Sequence, residues 1–289
     1  MKLKNLLVYI FVLVFSTAFA QKPKVTQSKA KPKPVKALKE YVKISTSYGD
    51  MIFMLYDETP KHRDNFKKLI REKYYDDLLF HRIIREFMVQ GGDPQSRTAD
   101  SLQTLGNGGP NNTIPAEINK DIIHSKGALC AARTGDDINP NKESSGSQFY
   151  IVQGKKVSKK ELEEIMNAKN YQRKQQVFNN MVMKDTVMAN RLALIQQTQG
   201  KDAVQKYIMQ QLGPSIDEEY KKVEFIYDGN QVNAYAEIGG TPFLDQDYTV
   251  FGQLVSGFEV LDKIAVVYTN PQTNRPFKDI KMKISIVKR

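Results

Sequence analysis

Strict alternation of apolar and polar residues opens the foldable part of this chain and returns at its end, and this restricts the fold more than any other feature. In YVKISTSYGDMIFMLY (41–56) the period-two pattern runs on both sides of Tyr48-Gly49-Asp50, as a β-hairpin requires. KMKISIVKR (281–289) alternates Met282, Ile284 and Ile286. A first and a last strand of similar character imply a sheet that closes on itself. After the hairpin, ETPKHRDNFKKLIREK offers Thr59 as N-cap, Pro60 at the first helical position, and Phe66, Leu69 and Ile70 on one face, so one helix is expected to pack on the sheet.

The 289 residues suffice for a domain with a sizeable core plus an addition. Residues 1–20, MKLKNLLVYIFVLVFSTAFA, read as a secretory signal peptide: Lys2 and Lys4, an apolar run, then Ala18-Phe19-Ala20. The run falls short of the roughly 20 residues of a spanning helix, and no cysteine follows it for lipid attachment. Export is expected, to a periplasm, with release beyond the cell as the alternative. Residues 21–40 hold seven lysines, three prolines and one glutamate, the composition of a disordered basic linker. Residues 1–40 carry nine lysines and one glutamate, so they supply +8 of the net +11. The remaining +3 argues against a nucleic-acid partner and leaves only a weak attraction of the tail to anionic membrane surfaces. The single cysteine, Cys130 in GALCAA, excludes an intramolecular disulfide and reads as a small buried hydrophobe.

FHRIIREFMVQGGDP (80–94) places an arginine and a glutamine inside short apolar runs, where either is costly without a partner. Period two puts Arg82 with Phe80 and Ile84, and Met88 with Gln90. The pattern suits a pocket with an apolar floor and fixed donors on its rim. Other chemistries lack their signatures. His62, His81 and His124 have no metal-ligand spacing, and Ser147 in SGSQF lacks the second glycine of a nucleophile elbow. Gly106-Asn107-Gly108-Gly109-Pro110 lacks the Lys-Ser/Thr of a phosphate loop.

FHRIIREFMVQGGDP, GALCAAR (127–133), SSGSQFYIVQG (144–154) and GGTPFLDQDYTVFGQLVSGFEVLDKI (239–264), with the TPKHRDNF helix start, together resemble the cyclophilin family of peptidyl-prolyl cis-trans isomerases. The resemblance covers 41–154 and 232–289. It implies a mostly β fold, an eight-stranded antiparallel β-barrel capped by two helices, with no metal or cofactor. By motif position it implies catalytic roles for Arg82, Phe87 and Gln90. It places substrate contacts on Met88, Ala132, Arg133, Gln148, Tyr150, Phe243, Leu244 and Tyr248. Phe243, Tyr248, Tyr150 and Arg133 stand where the best-known eukaryotic members carry Trp, His, Phe and Asn. The Phe243 replacement puts tight cyclosporin binding in doubt more than catalysis, and the added Tyr150 hydroxyl is expected to narrow substrate choice.

Residues 155–231 form an insertion relative to that pattern. Ser158-Lys159-Lys160-Glu161 reads as a capping box. Val177, Met181, Met188, Leu192 and Ile195 share a helical spacing that Gly200 ends, and a further helix starts after Gly213-Pro214. An inserted α-helical subdomain is expected. Five of the ten methionines lie in it, as a packing face or as an adaptable client-binding surface. Two functions follow: an isomerase acting on proline-containing polypeptides and unfolded exported proteins, or a non-catalytic chaperone working through the insertion. Oligomeric state is left open.

Overall fold

The computed structural model describes residues 40–100, 103–110 and 112–288. The expected signal peptide and basic linker lie outside the described residues, apart from Glu40. Glu40 is not linker: it opens β1 (Glu40–Thr46), pairs with Lys288 and takes a 2.8 Å ion pair from Lys67. No helix of the described residues is long and apolar enough to cross a membrane.

The chain divides into two compact units. The first comprises the described residues up to Lys159 together with Asn230 onward. Its strands are β1, β2 (Gly49–Leu55), β3 (Phe80–Ile84), β4 (Met88–Gly91), β5 (Thr113–Ile114), β6 (Ala128–Ala131), β7 (Ser144–Ser145), β8 (Phe149–Val152), β9 (Val250–Ser256) and β10 (Lys283–Lys288). Eight of them form one antiparallel sheet in the order β10-β1-β2-β9-β6-β8-β4-β3, and β5 pairs with β7. The chain leading into the two edge strands meets: Leu79 bridges Lys281, Phe80 N–H donates to Ile280 O at 3.0 Å, and Met282 N–H to Leu78 O at 2.9 Å. The curled sheet is thus joined edge to edge by this short contact, in the sense its matched ends imply.

Inside it, Val42, Ile44, Phe53, Phe80, Ile83, Val89, Leu129, Phe149, Ile151 and Phe251 form one core. Each such residue contributes about 1.5–3 kcal/mol by leaving water. Helix α1 (Pro60–Arg71) adds Phe66, Leu69 and Ile70, and a C-terminal helix (Phe258–Ala265) adds Val260, Leu261 and Ile264. These are the two capping helices of the expected fold.

Two local expectations need correction. Phe80 and Arg82 do not share a face. The register shifts between them, so Phe80 joins Ile83 in the core while Arg82 stays half-buried. A bulge adds one residue and inverts the alternation. Thr59 stands at the N-cap of α1, yet its hydroxyl makes no capping bond and is buried without a partner. Glu117 caps the helix instead, accepting from Lys61 N–H and His62 N–H at 3.0 Å each.

The second unit spans Lys160–Gly229. The division falls later than 155 at its first boundary because Lys155 bridges Gly240 and Val157 N–H donates to Tyr235 O at 3.1 Å, both within the sheet unit. It falls before 231 because the helix Gly229–Glu237 carries Tyr235 into that unit. Helices α2 (Lys159–Lys184), α3 (Thr186–Gln199), α4 (Lys201–Tyr207) and α5 (Gly213–Lys221) follow, with a π-helical turn at Ile208–Leu212. The 177–195 spacing is broken at Asp185, whose carboxylate accepts from Val187 and Met188 N–H at 2.9 Å each and starts α3. Gly200, at φ 84, ends that helix. Phe178, Val182, Leu192, Val204, Ile208 and Ile216 form a separate core with Met181 and Met188 against it, whereas Met183 and Met209 are exposed.

Candidate active site

The outer face of the sheet carries a second apolar cluster. Met88, Ala128, Cys130, Tyr150, Val152, Leu244 and Val250 are buried there, with Ile84, Phe87, Ala132 and Tyr248 packed against them. Strands β6 and β8 are therefore buried on both faces. Register places Arg82 opposite Gln90, Gln90 opposite Tyr150, Tyr150 opposite Cys130 and Cys130 opposite Val250. Directly opposed residues share a face, so one row across the sheet carries the arginine, the glutamine and the pocket floor. The bulge in β3 is what brings Arg82 into this row.

Arg82 is held by a relay of amides. Its Nη1 donates to Gln90 Oε1 at 3.2 Å, Gln90 Nε2 donates to Gln148 Oε1 at 3.1 Å, and Gln148 Nε2 donates to the carbonyls of Gly106 (2.9 Å) and Gly108 (2.6 Å). The loop is fixed in turn by Asp93, whose Oδ2 accepts from Gly106 N–H at 2.6 Å and Gly108 N–H at 3.2 Å. A Cβ on Gly108 would press on the Asp93 carboxylate, so any other residue there would displace this anchor. Sequence reasoning set this loop aside as a failed phosphate motif and missed its use as an anchor. Partial burial lowers the Arg82 pKa, but a guanidinium remains protonated.

The pocket beside it is walled by rings. Phe87 packs on Phe243 with centroids 5.5 Å apart, Leu244 is buried, and Tyr150 meets Tyr248 edge-on at 6.0 Å. Two departures from the eukaryotic pattern pair with each other: the Arg133 guanidinium lies 4.4 Å from the centroid of Tyr248. Arg133 also donates to Asp247 O at 2.8 Å and pairs with Asp136 at 2.6 Å, so its side chain is committed within the protein. Ala132 lies in the same row of strands, but its N–H donates to Gln148 O and its carbonyl accepts from Ser145 N–H. Its main-chain N–H is therefore already used within the protein.

The Tyr150 hydroxyl does not face the groove. It lies 3.1 Å from His124 Nε2, beneath the floor, and burial pushes its pKa well up. The hydroxyl expected to narrow substrate choice is thus engaged within the protein. Cys130 is fully buried, and burial raises its thiol pKa, which removes it as a nucleophile. Among the described residues no three His, Cys, Asp or Glu side chains are placed to hold a metal. His62 and His124 each face a carboxylate at 2.7 Å.

The family model for "Cyclophilin type peptidyl-prolyl cis-trans isomerase/CLD" matches residues 41–212 and 227–287. A Staphylococcus saprophyticus protein named as a peptidyl-prolyl cis-trans isomerase is 30% identical over 236 residues, covering 81% of this chain and 85% of its own. A Staphylococcus aureus protein of the same name is 29% identical over 240 residues, covering 83% and 87%. A Streptococcus pyogenes protein named as a bifunctional phosphatase/peptidyl-prolyl cis-trans isomerase is 33% identical over 244 residues. That match covers 83% of this chain and 37% of the streptococcal protein. Among solved structures, a Cryptosporidium parvum cyclophilin-type isomerase superposes with TM-score 0.51 at 21% identity, over 86% of this chain and 98% of that one, a likeness of fold.

Proposed function

Because the chain belongs to the cyclophilin-type peptidyl-prolyl cis-trans isomerases, and so catalyses rotation about X-Pro bonds, we propose that it does this in the groove between Arg82 and the Phe87–Leu244 pocket, on polypeptides exported from the cytoplasm. The observation that carries the site is the tethered arginine, a half-buried guanidinium held by Gln90 beside an apolar pocket.

Rotation about a peptide bond meets a barrier of about 18–20 kcal/mol because the nitrogen lone pair is delocalised into the carbonyl. In the twisted state that lone pair is localised and accepts a hydrogen bond. Arg82, aimed at the prolyl nitrogen, stabilises that state over the planar one. Its rigid fork leaves donors free after Gln90 takes one. Phe87, Met88, Leu244 and the Tyr150 ring hold the pyrrolidine still while the carbonyl side turns, and Phe243 closes the outer wall. The Arg133 main chain and Gln148 flank the path of the substrate backbone. No bond is made or broken, so no nucleophile or proton relay is required.

The export part of the reading rests on the leader at 1–20 and the basic segment after it. It makes unfolded exported proteins in the periplasm the substrates, and anionic membrane surfaces weak partners of the tail.

The test is cis-trans exchange of an Ala-Pro peptide by NMR with the mature protein and its Arg82→Ala variant. The variant should lose about 10²–10³ in kcat/KM, as when one preorganised donor is removed, with an unchanged circular dichroism spectrum. Full activity in the folded variant would move the chemistry elsewhere in the groove. Cell fractionation of the whole chain tests export, and retention in the cytoplasm would overturn that part alone.

A further inference from the structure

The two walls of the proline pocket come from distant parts of the chain. Tyr150 stands on β8, whereas Phe243 and Leu244 stand on the 3-10 turn Pro242–Leu244. Ring contacts and the shared apolar cluster join them on the groove side. Beneath the floor lies a line of buried polar groups that isomerisation chemistry does not require: Tyr235, Asp245, His124 and Tyr150, all at most 5% exposed. Each is costly to bury unless paired.

Asp245 follows Leu244 and closes its turn, with Leu244 N–H donating to Thr241 O at 3.0 Å and Asp245 N–H to Pro242 O at 3.1 Å. Its Oδ1 faces His124 twice, accepting from the His124 main-chain N–H at 2.8 Å and lying 2.7 Å from His124 Nδ1. Thr241 N–H donates to His124 O at 2.9 Å, so the turn is held to His124 at both ends. Oδ2 accepts from the Tyr235 hydroxyl at 2.5 Å. A carboxylate only accepts, so Nδ1 carries a proton, and in the neutral imidazole this leaves Nε2 as an acceptor. The group facing Nε2 is the Tyr150 hydroxyl at 3.1 Å, with the two rings stacked at 6.2 Å and 12°.

We propose that His124 is a positioning residue of the isomerisation site, a bridge that ties the Leu244 wall to the Tyr150 wall and so fixes the width of the pocket. The inference rests on the site reading above. It assigns the Tyr150 hydroxyl a task under the floor rather than in the groove. Width matters because a gap of half an ångström to one ångström already forfeits a quarter to a half of a dispersion contact. The pyrrolidine ring is gripped alike in the planar and twisted states, so a loosened pocket weakens both equally and raises KM with little change in kcat.

Tyr150→Phe removes the hydroxyl and keeps the ring in the wall. With the Ala-Pro peptide, KM should rise about five- to tenfold while kcat stays within about twofold. The 15N spectrum of His124 should show an unprotonated Nε2 in the wild type, shifted downfield in the variant that no longer donates to it. Tyr235→Phe, at the far end of the line, should move KM the same way by less, and it carries the test should Tyr150→Phe fail to fold. An unchanged KM in a folded Tyr150→Phe or Tyr235→Phe protein overturns the proposal, as does a fall in kcat at constant KM. Arg82→Ala run alongside separates the two readings. If it keeps full activity the site itself is misplaced; if it is inactive and the tyrosine variants match the wild type, only the bridge fails.

Discussion

His81 and Arg82 are adjacent in sequence and opposite in fate. The guanidinium stays half-exposed on the outer face, while the imidazole is buried to 3% and neither ring nitrogen finds a partner among the described residues. Burial, aided by the charge of Arg82 and opposed by Asp93, lowers the His81 pKa from 6.5 to about 4. The unfolded chain therefore takes up a proton first as the pH falls, and the folded state loses stability from about pH 6.5 down to about 4. At about 1.4 kcal/mol per pH unit this is on the order of 3 kcal/mol. Urea unfolding between pH 7.5 and 4.5 should show that slope in the wild type and a shallower one in His81→Phe. Some slope remains in the variant, since burial also lowers the pKa of His62. Identical slopes in both proteins would remove His81 as the acid-sensitive group.

Helix α1 shows what the sequence discloses about an element and what it hides. Thr59-Pro60 marks its start correctly, because proline's fixed φ suits the first turn whatever completes the cap. The cap itself comes from Glu117, whose carboxylate takes Lys61 N–H, His62 N–H and a 2.7 Å contact with His62 Nδ1, with Ser144 Oγ 2.9 Å from Nε2. No local pattern reports a partner 56 positions away. The bulge in β3 is hidden for a similar reason: period two is a property of regular pairing, and the extra residue shows only against the partner strand. Motif content named Gln148, Tyr150 and Leu244, but not the Asp93-held loop that anchors Gln148 or the His124 link between Tyr150 and the Leu244 turn, since both are assembled by folding. For Glu117→Ala we expect a loss of about 1–3 kcal/mol at pH 7 from the donors left without a partner, read by urea unfolding. Wild-type stability in the variant would mean that water satisfies the helix start.

At the scale of the whole chain, the helical block was legible from spacing and capping residues, while its inner divisions depend on packing. Asp185 splits what reads as one long helix, and of the methionines Met181 and Met188 pack partly buried on the core while Met183 and Met209 are exposed. The sheet unit holds its own core, and its edges are joined at the Leu79–Lys281 bridge. The chain leaves and re-enters it at linked positions, since Lys155 bridges Gly240 and Val157 binds Tyr235. Replacing Lys160–Gly229 with a short Gly-Ser link should therefore leave a folded sheet unit whose Ala-Pro exchange rate stays within about threefold of the wild type, a change below 1 kcal/mol in the barrier. Loss of exchange together with loss of folding would show instead that the helices support the barrel. The same deletion tests the exposed Met183, Val187, Leu194 and Met209. If those side chains hold unfolded clients, the shortened protein should isomerise short peptides normally yet fail to suppress aggregation of a reduced, unfolded substrate, and undiminished suppression would leave client holding to the groove around Arg82.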